Sequence, residues 1–155
     1  MDRSSKKRSP SKVDGIIGWR EYIGLPEFGI SKLPAKIDTG ARTSALHAVN
    51  QEVFNRDDEQ WVSFWLKRPG QSKAERFETQ IVDRRKIKNT SGDQELRLII
   101  HTTLLLGAHK WSIDISLADR KKMEFDIILG RTAIRGKSVL VHPGRSFILS
   151  PKKRD

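Results

Sequence analysis

One carboxylate in the sequence is followed by residues that suit acid–base chemistry. Asp38, Thr39 and Gly40 come directly after the short, partly apolar segment Lys36-Ile37. The Thr39 hydroxyl can hydrogen-bond to nearby backbone and fix a turn, and Gly40 allows another backbone to approach closely. The pattern therefore predicts a carboxylate held at the end of a strand, where it can act as a general acid or base. Asp-Thr-Gly also forms ordinary turns, so the tripeptide alone is only weakly specific.

A second segment, far along the chain, strengthens the case for Asp38. It contains Ile128-Leu129-Gly130-Arg131, in which apolar residues end in a glycine. The residues from Arg131 to Arg135 can form one short helical turn, which Gly136 would end. Together with the Asp38 loop, this segment makes a two-part pattern that is far more specific than the tripeptide.

The elements that must position these two segments are mainly short strands. Trp111–Leu117 alternates apolar and polar residues, and Leu96–Leu106 is a long apolar run, so both are typical of strands. The turn between them lies at Gly107–Lys110. Further strand candidates are Trp61–Leu66, Phe77–Val82, Val139–His142 and Ser146–Leu149, with a break at Pro143-Gly144. Many short strands with frequent turns predict a β-sandwich or a barrel.

Over about residues 16–150 the sequence resembles the retropepsin-like aspartic proteases. Ile37-Asp38-Thr39-Gly40-Ala41 is similar to the catalytic loop of that family, and Ile128-Leu129-Gly130-Arg131 is similar to the motif packed beside the loop. Leu104–Trp111 matches the hairpin after the flap. Asn89–Asp93 falls where the flap would lie, but Arg84–Asp93 is charged where retroviral flaps are apolar. The resemblance implies an all-β fold, a closed acid-protease (retropepsin-like) β-barrel with one short helix near 131–135.

The resemblance also implies a metal-independent aspartic endopeptidase-type hydrolase. Such enzymes use two carboxylates that share one proton, because like charges a few ångströms apart cannot both ionise. One acts as a base on water and the other as an acid on the scissile carbonyl. The sequence has one Asp-Thr-Gly, and its 155 residues are too few for two such lobes. The prediction is therefore a homodimer in which Asp38 of each subunit meets at a two-fold axis, with Thr39 and Gly40 holding the interlocked loops.

The residues that follow the catalytic aspartate are predicted to bind substrate, and they are Ala41, Arg42, Ser44 and His47. Retroviral members usually carry an acidic residue at the position of Arg42. Because a guanidinium can bind a carboxylate through two hydrogen bonds, Arg42 favours acidic, glutamate-rich peptide or protein tails as substrates. The alternative is that Arg42 forms a structural ion pair, for instance with Asp126. His47 has an alternative interpretation as well, as a partly buried histidine on a strand.

Flanking residues narrow the resemblance to one bacterial subfamily. Ala41–His47 and Ile17–Glu21 are similar to proteins labelled ATP-dependent zinc proteases. That subfamily is associated with ATP-grasp ligases that add glutamates to ribosomal protein. The resemblance therefore implies a functional link to an ATP-grasp glutamate ligase and a role in ribosomal protein modification.

The residues give no support to the zinc or the ATP in that label. The histidines, at positions 47, 101, 109 and 142, include no His-Glu-x-x-His pair. Gly130–Ser138 resembles a phosphate loop, but it has one residue too many between its glycines, and a strand rather than a helix follows it. No cofactor and no metal are therefore predicted.

The net charge of +11 comes from 30 Lys and Arg against 19 Asp and Glu. About half of it lies at the two ends, which are predicted to be a disordered basic tail at 1–14 and a short basic tail at 152–155. Between them, residues 15–151 form the predicted retropepsin-like β-barrel domain. The charge keeps a second function open, a non-catalytic basic β-barrel that binds RNA or the ribosome, with the tails as nucleic-acid contacts.

The sequence gives no indication of a membrane or secreted protein. No apolar run approaches the roughly 20 residues that a membrane-spanning helix needs. The charged start of the chain lacks the apolar stretch of a secretory signal. Cysteine is absent, which excludes disulfides and thiol catalysis. We therefore expect a cytoplasmic protein.

Overall fold

A computed structural model describes residues 15–89, 91–119 and 123–149. In these ranges the chain forms eleven strands, one 3-10 turn (Pro26–Phe28) and one short helix, α1 (Arg131–Ile134). The strands are β1 (Gly15–Leu25), β2 (Ile30–Asp38), β3 (Ser44–His47), β4 (Val49–Arg56), β5 (Glu59–Leu66), β6 (Glu75–Gln80), β7 (Asp83–Lys88), β8 (Gln94–Leu106), β9 (His109–Ala118), β10 (Ile127–Gly130) and β11 (Val139–Ser146). The predicted tails at 1–14 and 152–155 lie outside the described residues.

Eight of these strands form one sheet in the order β11-β1-β2-β10-β3-β9-β8-β7. Strand β1 also pairs with β8 at Gly24 and Leu105, and this contact closes β1, β2, β10, β3, β9 and β8 into a barrel. Strands β11 and β7 continue the sheet on either side of the closure. The remaining strands form a second sheet, β4-β5-β6. The prediction of an all-β, closed barrel with one short helix near 131–135 is confirmed.

Strand β2 explains how the sequence brings Asp38 to the surface. Leu33, Ala35 and Ile37 are buried in the barrel core, while the residues between them point outward. This alternation is the period of a strand with one buried face. Asp38 follows Ile37, so it lies on the outer face at the carboxyl end of β2, where it is partly exposed.

Aromatic side chains attach the second sheet to the barrel. The ring centroid of Phe28 lies 5.7 Å from that of Phe64 and 5.4 Å from that of Phe77, both in edge-to-face contact. Trp61 and Trp65 lie on the opposite face of β5 from Phe64 and are partly exposed. In the parts of the chain that the structure describes, no helix is long and apolar enough to cross a membrane.

Strand β11 differs from its prediction. A single strand runs from Val139 to Ser146, but its pairing with β1 passes from His142–Gly18 directly to Ser146–Arg20, so the break predicted at Pro143-Gly144 is present as a bulge within the strand. A proline is tolerated there because a bulged residue makes no ladder hydrogen bond. The residues Phe147–Leu149, predicted to be strand, are irregular.

The irregular segment after β11 is fastened to the barrel by Glu21. This side chain is fully buried, and its carboxylate accepts the backbone N–H groups of Gly18 at 2.6 Å, Ile148 at 3.0 Å and Leu149 at 3.2 Å. A buried carboxylate is stabilised when backbone donors surround it in this way. Glu21 therefore fixes the position of residues 147–149 against β1.

A second glutamate joins the 3-10 turn to β8. The Glu27 carboxylate accepts the Thr102 hydroxyl at 2.9 Å, the Thr103 backbone N–H at 3.0 Å and the Thr103 hydroxyl at 2.6 Å. Burial acts to raise the pKa of Glu27, but the hydrogen bonds from Thr103 and Thr102 outweigh it and hold the pKa below its ordinary value. The ionised form of Glu27 therefore contributes to the stability of the fold.

Candidate active site

The chain turns sharply at Asp38. The backbone carbonyl of Asp38 accepts the N–H of Ala41 at 3.1 Å, and its side-chain Oδ1 accepts the N–H of Gly40 at 3.0 Å. The second bond fixes the direction of the carboxylate. Within the described residues nothing donates a hydrogen bond to the other oxygen, Oδ2. The carboxylate is therefore held in place while one of its oxygens stays available to a water molecule or a partner acid.

Strand β10 packs against the Asp38 turn through Gly130. Gly130 lies in register with Asp38 across the parallel pair of β10 and β2. A Cβ atom at Gly130 would come within 2.8 Å of the Thr43 carbonyl carbon and 2.9 Å of the Ala41 carbonyl oxygen. Only a glycine allows the loop to pass this close, because both obstructing atoms belong to the backbone.

The first residues of α1 bind the carbonyl groups of the same loop. The Arg131 backbone N–H donates to the Ala41 carbonyl at 2.8 Å, and the Thr132 hydroxyl donates to the Arg42 carbonyl at 2.8 Å. The Arg131 guanidinium lies 3.3 Å from the Gly40 carbonyl oxygen. The structure therefore brings the segment Ile128-Leu129-Gly130-Arg131 beside the Asp38 loop, with its glycine and arginine in direct contact.

Ser44 also supports the loop from inside the barrel wall. Its side chain is fully buried, and its hydroxyl oxygen accepts the N–H of Gly130 at 3.0 Å. Its carbonyl accepts the Ser116 hydroxyl at 2.7 Å. Ser44 was predicted to bind substrate, but its position makes it part of the support of the loop.

His47 lies at the far end of β3 from the Asp38 loop. Its side chain lines a separate cavity of about 250 Å³, together with Trp65 and Asp126 among others. The backbone N–H of His47 donates to the Asp126 carbonyl at 2.7 Å, and the ring atom Nδ1 is buried with no hydrogen-bond partner in the described residues. The structure does not bring His47 to Asp38.

An open groove of about 750 Å³ begins beside the Asp38 loop. Its walls are Ala41–Thr43 and Thr132 on one side and Arg85–Lys88 of β7 on the other, with His101 and Ser112–Asp114 between them. Asp114 is the carboxylate among these lining residues, and it binds His101 Nδ1 at 2.8 Å and lies 3.8 Å from the Arg85 guanidinium.

The charge of this groove is positive. Its cationic side chains are Arg42, Arg85, Lys86 and Lys88. Arg42 is exposed and forms no ion pair with Asp126 or with any other carboxylate that the structure describes. Arg85 lies 2.9 Å from Asp83 and 3.8 Å from Asp114, whereas Arg42, Lys86 and Lys88 have no carboxylate partner among the described residues. The groove therefore presents three unpaired cations beside the Asp38 loop, and these would attract carboxylates.

Strands β7 and β8 form a hairpin over the groove. Its turn is organised by Asn89, whose side-chain oxygen accepts the backbone N–H groups of Ser91 at 3.0 Å and Asp93 at 3.1 Å. This hairpin occupies the region where the sequence predicted a flap, and Thr90 lies outside the described residues. Sequence analysis missed the groove residues of β7. The signal was the charged run Arg84–Lys88, which in isolation is typical of a solvated strand.

The described residues do not fit a zinc site. No group of three or more His, Asp or Glu side chains converges within residues 15–89, 91–119 and 123–149. His101 and Asp114 are already bonded to each other, and two ligands are fewer than a protein zinc site uses.

Known proteins are similar to this chain in fold or in sequence. A crystal structure of a protein of unknown function from Legionella pneumophila superposes with a TM-score of 0.75 at 28% identity, covering 88% of this chain and 99% of that one. A protein from Shewanella pealeana is 41% identical over 140 residues, and one from Parasynechococcus marenigrum is 37% identical over 142 residues. Both carry the name "Probable alpha-L-glutamate ligase". The match covers 88% and 90% of this chain but only 30% of each relative.

A family model described as "Retropepsin-like aspartic endopeptidase RimB" matches residues 16–152. The match spans both the Asp38 loop and the segment from Ile128 to Arg131 that supports it. It covers nearly the whole described barrel. The chain therefore belongs to the RimB-like family of retropepsin-like aspartic endopeptidases.

Proposed function

We propose that the chain is an aspartic endopeptidase that works as a homodimer on acidic, glutamate-rich peptide or protein tails. The observation that carries the proposal is the Asp38 carboxylate, which is fixed through Oδ1 and open at Oδ2, in a loop whose next residues, Ala41–Thr43, line a cationic groove. The family to which the chain belongs supports the same chemistry.

In the proposed reaction, each subunit supplies one Asp38. The ionised carboxylate takes a proton from a water molecule, whose oxygen forms a bond to the scissile carbonyl carbon. The protonated carboxyl of the other subunit donates its proton to the carbonyl oxygen. The tetrahedral gem-diol intermediate then collapses: the carbon–nitrogen bond breaks, the leaving amine takes a proton from the first carboxyl group, and one hydroxyl of the intermediate returns a proton to the second carboxylate as the product carboxylic acid forms. Water is the only co-reactant.

The outer edge of β11 supports the dimer. Ile16 and Leu140 are paired in register across β1 and β11, and their side chains are 47% and 56% exposed. Apolar side chains this exposed, one on the edge strand β11 and one on its neighbour β1, favour contact with another chain. A two-fold arrangement would also supply the second carboxylate that one subunit lacks.

The groove supports an acidic substrate. Arg42 and the cations of β7 lie on opposite sides of it, so an extended chain bound in the groove would meet positive charge on both sides. The relatives named as glutamate ligases support a link between this barrel and the addition of glutamate. We propose that the chain cleaves the kind of tail that such a ligase produces.

Replacement of the candidate catalytic residue tests the activity. Asp38→Asn should lower kcat/KM by at least about a thousandfold, since the variant removes the acid and the base together. The control is Asp57→Asn, in the exposed turn between β4 and β5, which should cleave at the wild-type rate. Cleavage by folded Asp38→Asn at the wild-type rate would reject the proposal. A folded wild type that is monomeric, inactive and bound to RNA in a strongly salt-dependent way would favour the binding function.

Replacement of Arg42 tests the substrate class. Arg42→Ala should lower kcat/KM for a glutamate-rich peptide about three- to tenfold and leave a glutamine-substituted peptide little affected, because a partly exposed charge-assisted contact is lost. Arg76→Ala on β6 is the control, since it removes the same charge far from the groove. An unchanged ratio between the two peptides would contradict the role of Arg42.

A further inference from the structure

The outer face of β2 carries a cation immediately before Asp38. Lys36 precedes Asp38 by two residues, so both side chains leave β2 on the same face. Ala35 and Ile37, which flank Lys36, are buried in the core. Two residues along a strand span roughly 7 Å, which is about the spacing of alternate side chains in an extended peptide. Lys36 is therefore placed to meet a substrate side chain near the bond that Asp38 would attack.

A second cation stands directly opposite Lys36. Arg20 of β1 is its cross-strand partner in the antiparallel pair of β1 and β2. Like charges at opposed positions destabilise a sheet, because their side chains lie close together on one face. Neither side chain forms an ion pair with a carboxylate that the structure describes. An anion bound between them would relieve the repulsion.

The guanidinium of Arg20 is held in position. Its Nε donates to the Ser146 hydroxyl at 3.0 Å, and the group lies 4.3 Å from the ring centroid of Trp19. The two terminal nitrogens donate no hydrogen bond within the described residues. A guanidinium fixed through Nε and stacked on an aromatic ring is preorganised to bind a carboxylate with its terminal N–H groups.

This pair is separate from the groove. Lys36 lies on β2 and Arg20 on β1, and neither residue lines the groove that Arg42 and the β7 cations line. In a two-fold dimer each subunit would present one copy of the pair and one copy of the groove. A substrate bound at the two Asp38 carboxylates would therefore meet the pair on each side of the scissile bond.

We propose that Lys36 and Arg20 form a second cationic subsite, which binds a glutamate or aspartate side chain next to the scissile bond. The inference rests on the proposed function and adds a specificity rule to it. Because a two-fold dimer carries this subsite on each side of the cleaved bond, the best substrate carries acidic residues both before and after that bond.

A cleavage assay tests this rule with four quenched fluorescent peptides. They carry glutamates on both sides of the central bond, on the amino side only, on the carboxyl side only, or on neither side, with glutamine in the replaced positions. Lys36→Met should reduce kcat/KM for the fully acidic peptide by about tenfold or more, because a charge-assisted contact is lost on each side of the bond. It should reduce the rate for each half-acidic peptide by a smaller factor and leave the peptide without glutamates unchanged. The control Lys110→Met, at the start of β9, should behave as wild type with all four.

A binding assay tests the subsite without requiring cleavage. A fluorescein-labelled oligoglutamate is titrated into Asp38→Asn protein, alone and combined with Lys36→Met or Arg20→Gln, and the anisotropy is followed at two salt concentrations. Each added substitution should weaken binding severalfold and reduce its salt dependence. Equal affinity in all three proteins would overturn the inference even if wild type is an active peptidase. If no peptide is cleaved but the affinities differ as expected, the proposed function fails while the subsite stands.

Discussion

Asp38 and Glu21 are carboxylates on adjacent strands, β2 and β1, of the same barrel. Glu21 is fully buried, and three backbone N–H groups occupy its two oxygens. Asp38 is partly exposed and receives one backbone N–H, from Gly40. The carboxylate that fastens a chain segment is surrounded by hydrogen-bond donors, whereas the carboxylate in the loop beside the groove keeps an acceptor oxygen open. Occupied acceptors indicate a structural acid, and an open acceptor on a rigid support indicates a reactive one.

The largest expected effect in this comparison is a loss of cleavage rate on changing Gly130, the residue that supports the Asp38 turn. Gly130→Ala places a Cβ against loop backbone, so the turn must shift. A displacement of about 1 Å can cost about a hundredfold in rate, and we expect kcat/KM to fall by about that much. Gly15→Ala is the matched control, since a Cβ there meets no atom within 4 Å. Unchanged activity in Gly130→Ala would show that the position of the turn does not matter.

A smaller effect, on stability rather than rate, is expected at Glu21. Glu21→Gln replaces one acceptor oxygen with an amide that faces backbone donors, which should lower the free energy of unfolding by about 1–3 kcal/mol. Urea denaturation measures this change, with Glu52→Gln on exposed β4 as the control. The activity of the folded fraction should remain near wild type. A variant as stable as wild type but inactive would break the comparison, because Glu21 would then be the reactive acid.

The smallest effect is the pH dependence contributed by Glu27. The pKa of Glu27 is held below its ordinary value of 4.5, chiefly by the hydrogen bonds from Thr103 and Thr102 acting against burial. Its contribution to stability is therefore full above pH 4.5 and is lost as the pH falls through the lowered pKa. Thermal denaturation of wild type and Glu27→Gln should differ at pH 7 and converge in acid. A difference that persists in acid would mean that ionised Glu27 is not the stabilising form.

The sequence predicts the fold and the Asp38 loop well because both depend on local patterns. Asp-Thr-Gly specifies its own turn, and Ile128-Leu129-Gly130 specifies a buried strand that ends where no side chain fits. The short helix follows from the residues that come next. The barrel is then the arrangement that joins many short strands with a common core.

The groove and the roles of Ser44 and His47 could not be predicted in the same way. A strand pattern gives the face on which a residue lies, but the identity of its neighbours depends on which strands pair. Ser44 is buried because β3 lies between β10 and β9, and His47 is remote from Asp38 because β3 runs away from the loop. The cations of β7 resemble any solvated strand until the hairpin is seen beside Arg42.

The two ends of the main sheet differ in what they offer to another chain. Four of the six residues of β7 are Arg or Lys, so two copies of this edge repel each other and are protected from edge-to-edge aggregation. Strand β11 carries one Arg and no Lys, and Leu140 on it is 56% exposed. Self-association should therefore begin at β11 rather than at β7, and a charge introduced at that edge would weaken the same contact that the proposed dimer uses.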